Sequence, residues 1–204
     1  MHVVVVANQK GGAGKTTVTR NLAVAAGEDV AIVDRDPQGS VTAWWNRRKA
    51  ESPALVPVTG TLAETLDAMR EAGARLVFVD TPPAANADLA GIIAEADLVL
   101  IPVRPSPDDL DAVGPTLDLI AAAHKPFCFI LTQATARTRL ALEAVPELAQ
   151  HGRVAPVVMH TRQDYPTAAL SGLGVTEVGE TAAAAEVQQL LTYVMAQLTK
   201  DARK

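Results

Sequence analysis

Residues 9–17 near the start of the chain have the composition of a phosphate cradle. Gln9-Lys10-Gly11-Gly12-Ala13-Gly14-Lys15-Thr16-Thr17 lies between an apolar run, Val3–Ala7, and a stretch that reads as a helix. Glycines let a backbone curl until its N–H groups converge on an anion, and the N-terminus of the following helix adds its dipole. Lys15 then supplies a charge for the terminal phosphates, and Thr16 a hydroxyl for Mg2+. The strict phosphate-loop pattern fails only at its first position, where Gln9 stands in place of glycine. Lys10, Gly11, Gly12, Ala13, Gly14, Lys15, Thr16 and Thr17 are therefore the candidate cofactor-binding residues, for the phosphates of a nucleotide with Mg2+. A second motif complements them. Leu76-Val77-Phe78-Val79-Asp80 is four apolar residues ending in a carboxylate, the form of a strand whose aspartate holds Mg2+, often through water.

Lys10 is the more telling residue. With it, Lys10 to Thr16 satisfies every defining position of K-G-G-x-G-K-[ST], and the chain resembles the ParA/MinD family of deviant Walker A ATPases. Two further segments agree. Asp34-Arg35-Asp36-Pro37-Gln38 is similar to the family's first switch, D-x-D-P-Q, and Asp80-Thr81-Pro82-Pro83 to its second, D-T-P-P. The resemblance implies that Lys10 reaches across an ATP-sandwich homodimer to the partner subunit's phosphates. It gives Asp36 the task of orienting the attacking water, and Asp34 that of positioning the loop or the metal shell. Lys10, Lys15 and Asp36 are thus the candidate catalytic residues, and Thr16, Asp36 and Asp80 the candidate metal residues. Pro102-Val103-Arg104-Pro105-Ser106 is similar to a proline-rich segment of small plasmid ParA proteins that lies at a dimer or assembly surface; it also suits plain strand-to-helix punctuation.

These motifs span residues 3–107, about half the chain. The resemblance is to the short ParA type without an extra N-terminal DNA-binding domain, since the loop begins by residue 9, so operator-specific repression is not expected. It implies a cycle: ATP drives dimerisation, the dimer binds DNA non-specifically, and a ParB-like adaptor stimulates hydrolysis, so that plasmid or chromosomal DNA is segregated. A related ATPase that positions a protein cargo, a MinD-like membrane switch and an ATP enzyme that activates a small molecule are the alternatives. No guanine-reading N-K-x-D motif follows the run Phe127–Leu131, which favours ATP over GTP.

Such residues need a scaffold that brings strand ends together. Apolar runs recur at Val3–Ala7, Val30–Val33, Leu55–Val58, Leu76–Val79, Leu98–Val103, Phe127–Leu131 and Val154–Met159. They are continuous rather than alternating, as strands covered on both faces are. Helical spacing lies between them, as at Leu62, Leu66 and Met69, with caps at Thr61 and Ser106. The expected fold is α/β: a single P-loop NTPase domain over residues 1–204, with a mostly parallel twisted sheet of about seven strands and helices on both faces. Segment 171–185 reads as a surface loop leading into a last helix over about 183–199.

The net charge of −5 argues against a chain that coats nucleic acid over its whole surface. Residues 64–118 hold 3 basic and 11 acidic side chains and residues 119–163 hold 5 and 2, so a polyanion should meet the second region. Candidate DNA contacts are Arg137, Arg139, Arg153, Arg162, Lys200, Arg203 and Lys204, all backbone-directed and salt-sensitive. His2, His124, His151 and His160 lack ligand spacing and read as ordinary surface or loop residues, and Trp44 and Trp45 as packing anchors. Cys128 is the only cysteine, which excludes an iron–sulfur site within one chain, and its phenylalanine neighbours suggest a buried thiol. No apolar run approaches the length of a membrane span. Cytoplasmic residence, nucleoid-associated in the ATP state, is expected.

Overall fold

The computed structural model describes residues 1–83 and 87–201. Seven strands, β1 His2–Val6, β2 Val30–Asp34, β3 Ala54–Leu55, β4 Leu76–Asp80, β5 Leu98–Val103, β6 Phe127–Ala134 and β7 Met159–His160, form one sheet in the order β3-β2-β4-β1-β5-β6-β7. Every neighbouring pair is parallel. Nine α-helices lie among the described residues: α1 Lys15–Ala25, α2 Ser40–Trp45, α3 Leu62–Glu71, α4 Ala87–Ala94, α5 Pro107–Asp111, α6 Gly114–Ala122, α7 Arg139–Ala149, α8 Asp164–Leu170 and α9 Ala182–Asp201.

The continuous apolar strands have the predicted cause. In β1, Val4 and Val6 join the buried cluster under α1, α8 and α9, whereas Val3 and Val5 join the cluster under α3, α4 and α6. Alternate side chains of one strand thus enter opposite layers, and each fully buried aliphatic contributes roughly 1.5–3 kcal/mol. Helix starts follow local chemistry: Thr61 and Glu64 form a reciprocal capping box at α3, and Ser106 caps α5 with Pro107 in its first turn. Cys128 is fully buried, and burial pushes its thiol up to about 11. Trp44 is fully buried with its indole N–H donating to the Leu173 carbonyl, and the Trp45 indole donates to the Pro53 carbonyl.

Three expectations need correction. The run Leu55–Val58 pairs only as Ala54–Leu55, because Pro57 has no N–H to continue the ladder. Val154–Met159 narrows to Met159–His160 plus a single bridge between Phe129 and Val154, again with a proline, Pro156, in the run. Segment 171–185 is not a loose loop. Val175 is fully buried in a short 3-10 turn, Val175–Glu177, and its N–H donates to the side chain of Asn21. Gly172 has φ +69°, and a Cβ there would lie 2.4 Å from the Arg48 backbone, so glycine permits the close approach.

The order β2-β4-β1 has a direct consequence for chemistry. Asp34 and Asp80 are register partners at the carboxyl ends of β2 and β4, and β1 pairs with β4 on the other side. The loops leaving these three strands therefore open into one crevice, where parallel α/β sheets bind ligands.

Candidate functional site

The loop after β1 is held from behind. Asn8, fully buried, donates to the Pro102 carbonyl at 2.7 Å and accepts from the Lys10 N–H at 2.8 Å. The Ala13 carbonyl accepts from Thr132 Oγ1 at 2.7 Å and the Gly12 carbonyl from Gln133 Nε2 at 2.6 Å. With these carbonyls turned to β6, the N–H face of the loop is left to a ligand. Gly12 and Gly14 carry φ of +74° and +96°, and Gly14 opens α1 without any side-chain cap. The first N–H groups of α1 thus present an anion site.

Lys15 is 7% exposed, with Nζ 3.4 Å from the Lys10 carbonyl. Burial lowers its pKa, opposed by the charges of Asp80 and Asp36. Thr16 Oγ1 donates to Asp80 Oδ2 at 2.7 Å, and Thr19 Oγ1 donates to Oδ1 at 3.0 Å. Asp80 is fully buried, and burial pushes its carboxyl up to about 7 against the two hydroxyls. A buried carboxylate paired only with neutral hydroxyls and a nearby lysine is suited to a cation. Thr16 and Asp80 offer the oxygen donors that would hold a Mg2+, which would supply positive charge beside a bound phosphate. Among the described residues there is no cluster of three or more His, Cys, Asp or Glu that would hold a metal without a nucleotide.

Asp34 organises the loop after β2. Its Oδ2 accepts from the N–H and hydroxyl of Thr42, at 2.9 and 2.8 Å, and its Oδ1 accepts from the Asp36 N–H at 3.1 Å. Asp36 is half-buried, and its Oδ1 accepts from the Gln38 N–H at 3.0 Å. Asp36 makes no hydrogen bond to Thr16 or Asp80 among the described residues. It lies near enough to Lys15 for its charge to oppose the lowering of that lysine's pKa.

Lys10 and Arg104 line a cavity of about 380 Å3 on the other side of the loop. Arg104 is clamped by Asp109, 2% exposed, with Nε and Nη2 each 3.0 Å from Oδ1, while the Ser106 hydroxyl donates to the same carboxylate. The Lys10 ammonium has no hydrogen-bond or ion-pair partner among the described residues.

A third compartment adjoins Gly14 and Thr17. It is a cavity of about 330 Å3 with an apolar side from Val18, Met159 and Pro166 and a polar side from Thr161, Arg162 and Gln163. Its size and mixed lining suit a nucleoside.

Residues 4–175 match the family model described as the CobQ/CobB/MinD/ParA nucleotide binding domain. The chain belongs to that family. Its resemblance to ParA and MinD, carried by Lys10 to Thr16, is thereby borne out. Across 99% of the chain and 96% of the relative it is 36% identical to the "Maintenance of carboxysome distribution protein A" of Gloeobacter kilaueensis. It is 30% identical to the "Chromosome-partitioning ATPase Soj" of Thermus thermophilus, over 72% of the chain and 76% of the relative. Among solved structures, the MinD cell division protein of Aquifex aeolicus superposes with a TM-score of 0.80 over 96% of this chain and 98% of that one, at 16% identity, a likeness of fold.

In this CobQ/CobB/MinD/ParA-family chain, the phosphate loop, Asp34 and Asp80 meet at the ends of neighbouring strands with Asp36 two residues beyond Asp34, while Lys10 lines the cavity beside Arg104. The proline-rich segment does serve as strand-to-helix punctuation, through the Ser106 cap and Pro107. Sequence reasoning missed Thr19, although it lies one turn after Thr16 on α1, and it missed Glu186 altogether. His160, read from the sequence as an ordinary surface or loop residue, has Nδ1 2.7 Å from Glu186, and Arg162, read as a DNA candidate, makes two hydrogen bonds to the same carboxylate. Of the other DNA candidates, Arg153 donates to Gln197, Arg139 pairs with Glu143, and Arg137 and Lys200 are exposed. Arg203 and Lys204 lie outside the described residues.

Proposed function

We propose that residues 1–204 act as one ATPase domain whose product is a dimeric state rather than a chemical. The observation that carries this reading is the pair of lysines: Lys15 is buried, while Lys10 lines a cavity with Arg104 and its ammonium has no hydrogen-bond or ion-pair partner among the described residues. A lysine so placed is available to the phosphates of a second subunit, which supports an ATP-sandwich homodimer.

In this reading Gly11 to Thr17 hold the phosphates by their N–H groups, and the cavity beside Gly14 takes the nucleoside. Thr16 and Asp80 would hold Mg2+, which would supply charge neutralisation for phosphoryl transfer. Asp36 orients the water in line with the γ-phosphate, held in place by the Asp34 bonds to its loop. Hydrolysis removes the group that Lys10 of each subunit grips, and the dimer parts.

The switch serves partition of a cargo in the cytoplasm, with a ParB-like adaptor that stimulates hydrolysis and non-specific DNA as the ATP-state matrix. Plasmid or chromosomal DNA is the first cargo reading. A protein body is the second, favoured by the relative named for carboxysome distribution, which aligns over nearly the whole chain. A membrane switch is not favoured. No helix among the described residues is long and apolar enough to cross a membrane, and the apolar side of α9 is buried, with Val187, Leu190 and Val194 fully so. Gel-shift titration of random-sequence DNA tests the cycle: affinity should appear with ATP and vanish with ADP, and equal affinity in both states would overturn the switch.

A further inference from the structure

Glu186, on α9, gathers the wall of the nucleoside cavity. Its carboxylate accepts from the His160 N–H at 3.2 Å, Arg162 Nε at 3.0 Å, Arg162 Nη2 at 2.6 Å and Tyr165 Oη at 3.2 Å, and His160 Nδ1 lies 2.7 Å away. An ionised carboxylate only accepts, so His160 Nδ1 carries the proton of that bond. The glutamate side chain is 11% exposed. Burial pushes its carboxyl up, but hydrogen bonds from Arg162 and His160 outweigh this and hold it below the ordinary value. All three partners line the cavity beside Gly14 and Thr17.

Helix docking does not explain this arrangement. Val187, Leu190 and Val194 already anchor α9 with no exposure, and an apolar residue at 186 would extend that contact without burying a charge. The network instead fixes a stretch with little regular structure to hold it, since β7 is only two residues long and α8 begins at Asp164. Each donor that Glu186 holds sets the path of the chain from His160 to Tyr165, the polar face of the cavity. We infer that Glu186 is a positioning residue for nucleoside recognition, acting through His160, Arg162 and Tyr165 rather than by touching the nucleotide. The inference rests on the reading of the loop as a nucleotide site and adds a long-range control to it from the C-terminal helix.

The consequence is selective. A ligand with phosphates and a nucleoside should feel Glu186, and one with phosphates alone should not. Glu186→Gln keeps the shape but places an amide donor among donors, so the wall loses its charge-assisted bonds. Calorimetric titration of ADP and of inorganic tripolyphosphate, each with Mg2+, separates the compartments. The expected result is ADP affinity weakened about tenfold, as loss of a charge-assisted bond entails, with tripolyphosphate affinity within about twofold of wild type. Glu186→Asp should recover part of the ADP affinity. Tyr165→Phe, which removes one donor and keeps the ring, should show the same selectivity at about two- to threefold, and it serves if Glu186→Gln fails to fold. Unchanged ADP affinity, or parallel loss of both ligands with a lowered melting temperature, would overturn the inference. Wild-type protein that binds tripolyphosphate no better than Lys15→Ala does would overturn the nucleotide reading itself.

Discussion

The two sides of the nucleotide crevice are built in opposite ways. The phosphate side comes from short, contiguous segments at strand ends, with its glycines and Lys10 in one loop, Lys15 and Thr16 in the first turn of α1, and Asp80 closing the neighbouring strand. The nucleoside side is assembled across the chain, with Gly14 and Thr17 meeting Thr132, the stretch from Met159 to Pro166 and, behind it, Glu186. Phosphate chemistry is the same in every nucleotide and needs backbone N–H groups in a fixed curl, which sequence spacing alone can encode. Nucleoside recognition is a matter of shape, and it is left to whatever side chains the fold brings together.

Variants on the phosphate side should therefore act on catalysis, or on every phosphate ligand alike. The largest effect is expected from Asp36→Ala. ATP should still bind within a few-fold of wild type, while single-turnover hydrolysis falls roughly 10²–10⁴-fold, the range of a lost proton-transfer group. Normal hydrolysis by this variant would remove Asp36 from the mechanism. Next, Lys15→Ala should weaken binding of ADP and of tripolyphosphate together, each by about 100-fold, in calorimetric titration. Loss of ADP alone would move Lys15 to the other side of the comparison.

Asp80 gives the phosphate side a pH dependence of its own. Burial raises its carboxyl from 3.8 to about 7, so between those values the folded protein keeps a proton that the unfolded chain has released. Stability of the nucleotide-free protein should accordingly fall as pH rises through that window, and Asp80→Asn should remove this fall in thermal melts. Cation binding runs the other way because it requires the ionised carboxylate. Mg2+-dependent nucleotide affinity should rise by about tenfold between pH 6 and pH 8 in wild type and stay flat in Asp80→Asn. The smallest effect belongs to Thr19→Val, which deletes one of two hydroxyls holding the charged form. It should move the midpoint of that rise upward by up to about one pH unit, the worth of one hydrogen bond. A downward shift would contradict the assigned role of Thr19.

The same contrast sets what was legible from the residues alone. The layered fold, the loop and Asp80 could be read because each is a local pattern: continuous apolar runs, glycine spacing, a carboxylate at a strand end; Asp34 and Asp36 were singled out by the likeness of their segment to D-x-D-P-Q. Strand β7 was overlength in that reading because Pro156 was not weighed against an apolar run. Residues 171–185 looked like a loop because small residues signal turns, whereas Gly172 and Gly174 are there to let the chain pack closely on Arg48 and Val24. His160, Arg162 and Glu186 carry no local signature. Their meaning comes only from α9 returning to the end of β7, 26 residues after His160.

The proposed switch turns on Lys10 serving a second subunit. Light scattering of Asp36→Ala protein, in which ATP persists, measures this directly. The expected result is a dimer with ATP, a monomer with ADP, and a monomer in both states once Lys10→Ala is added, although that double variant still binds ATP. A Lys10→Ala protein that dimerises with ATP as readily as its parent would contradict the account.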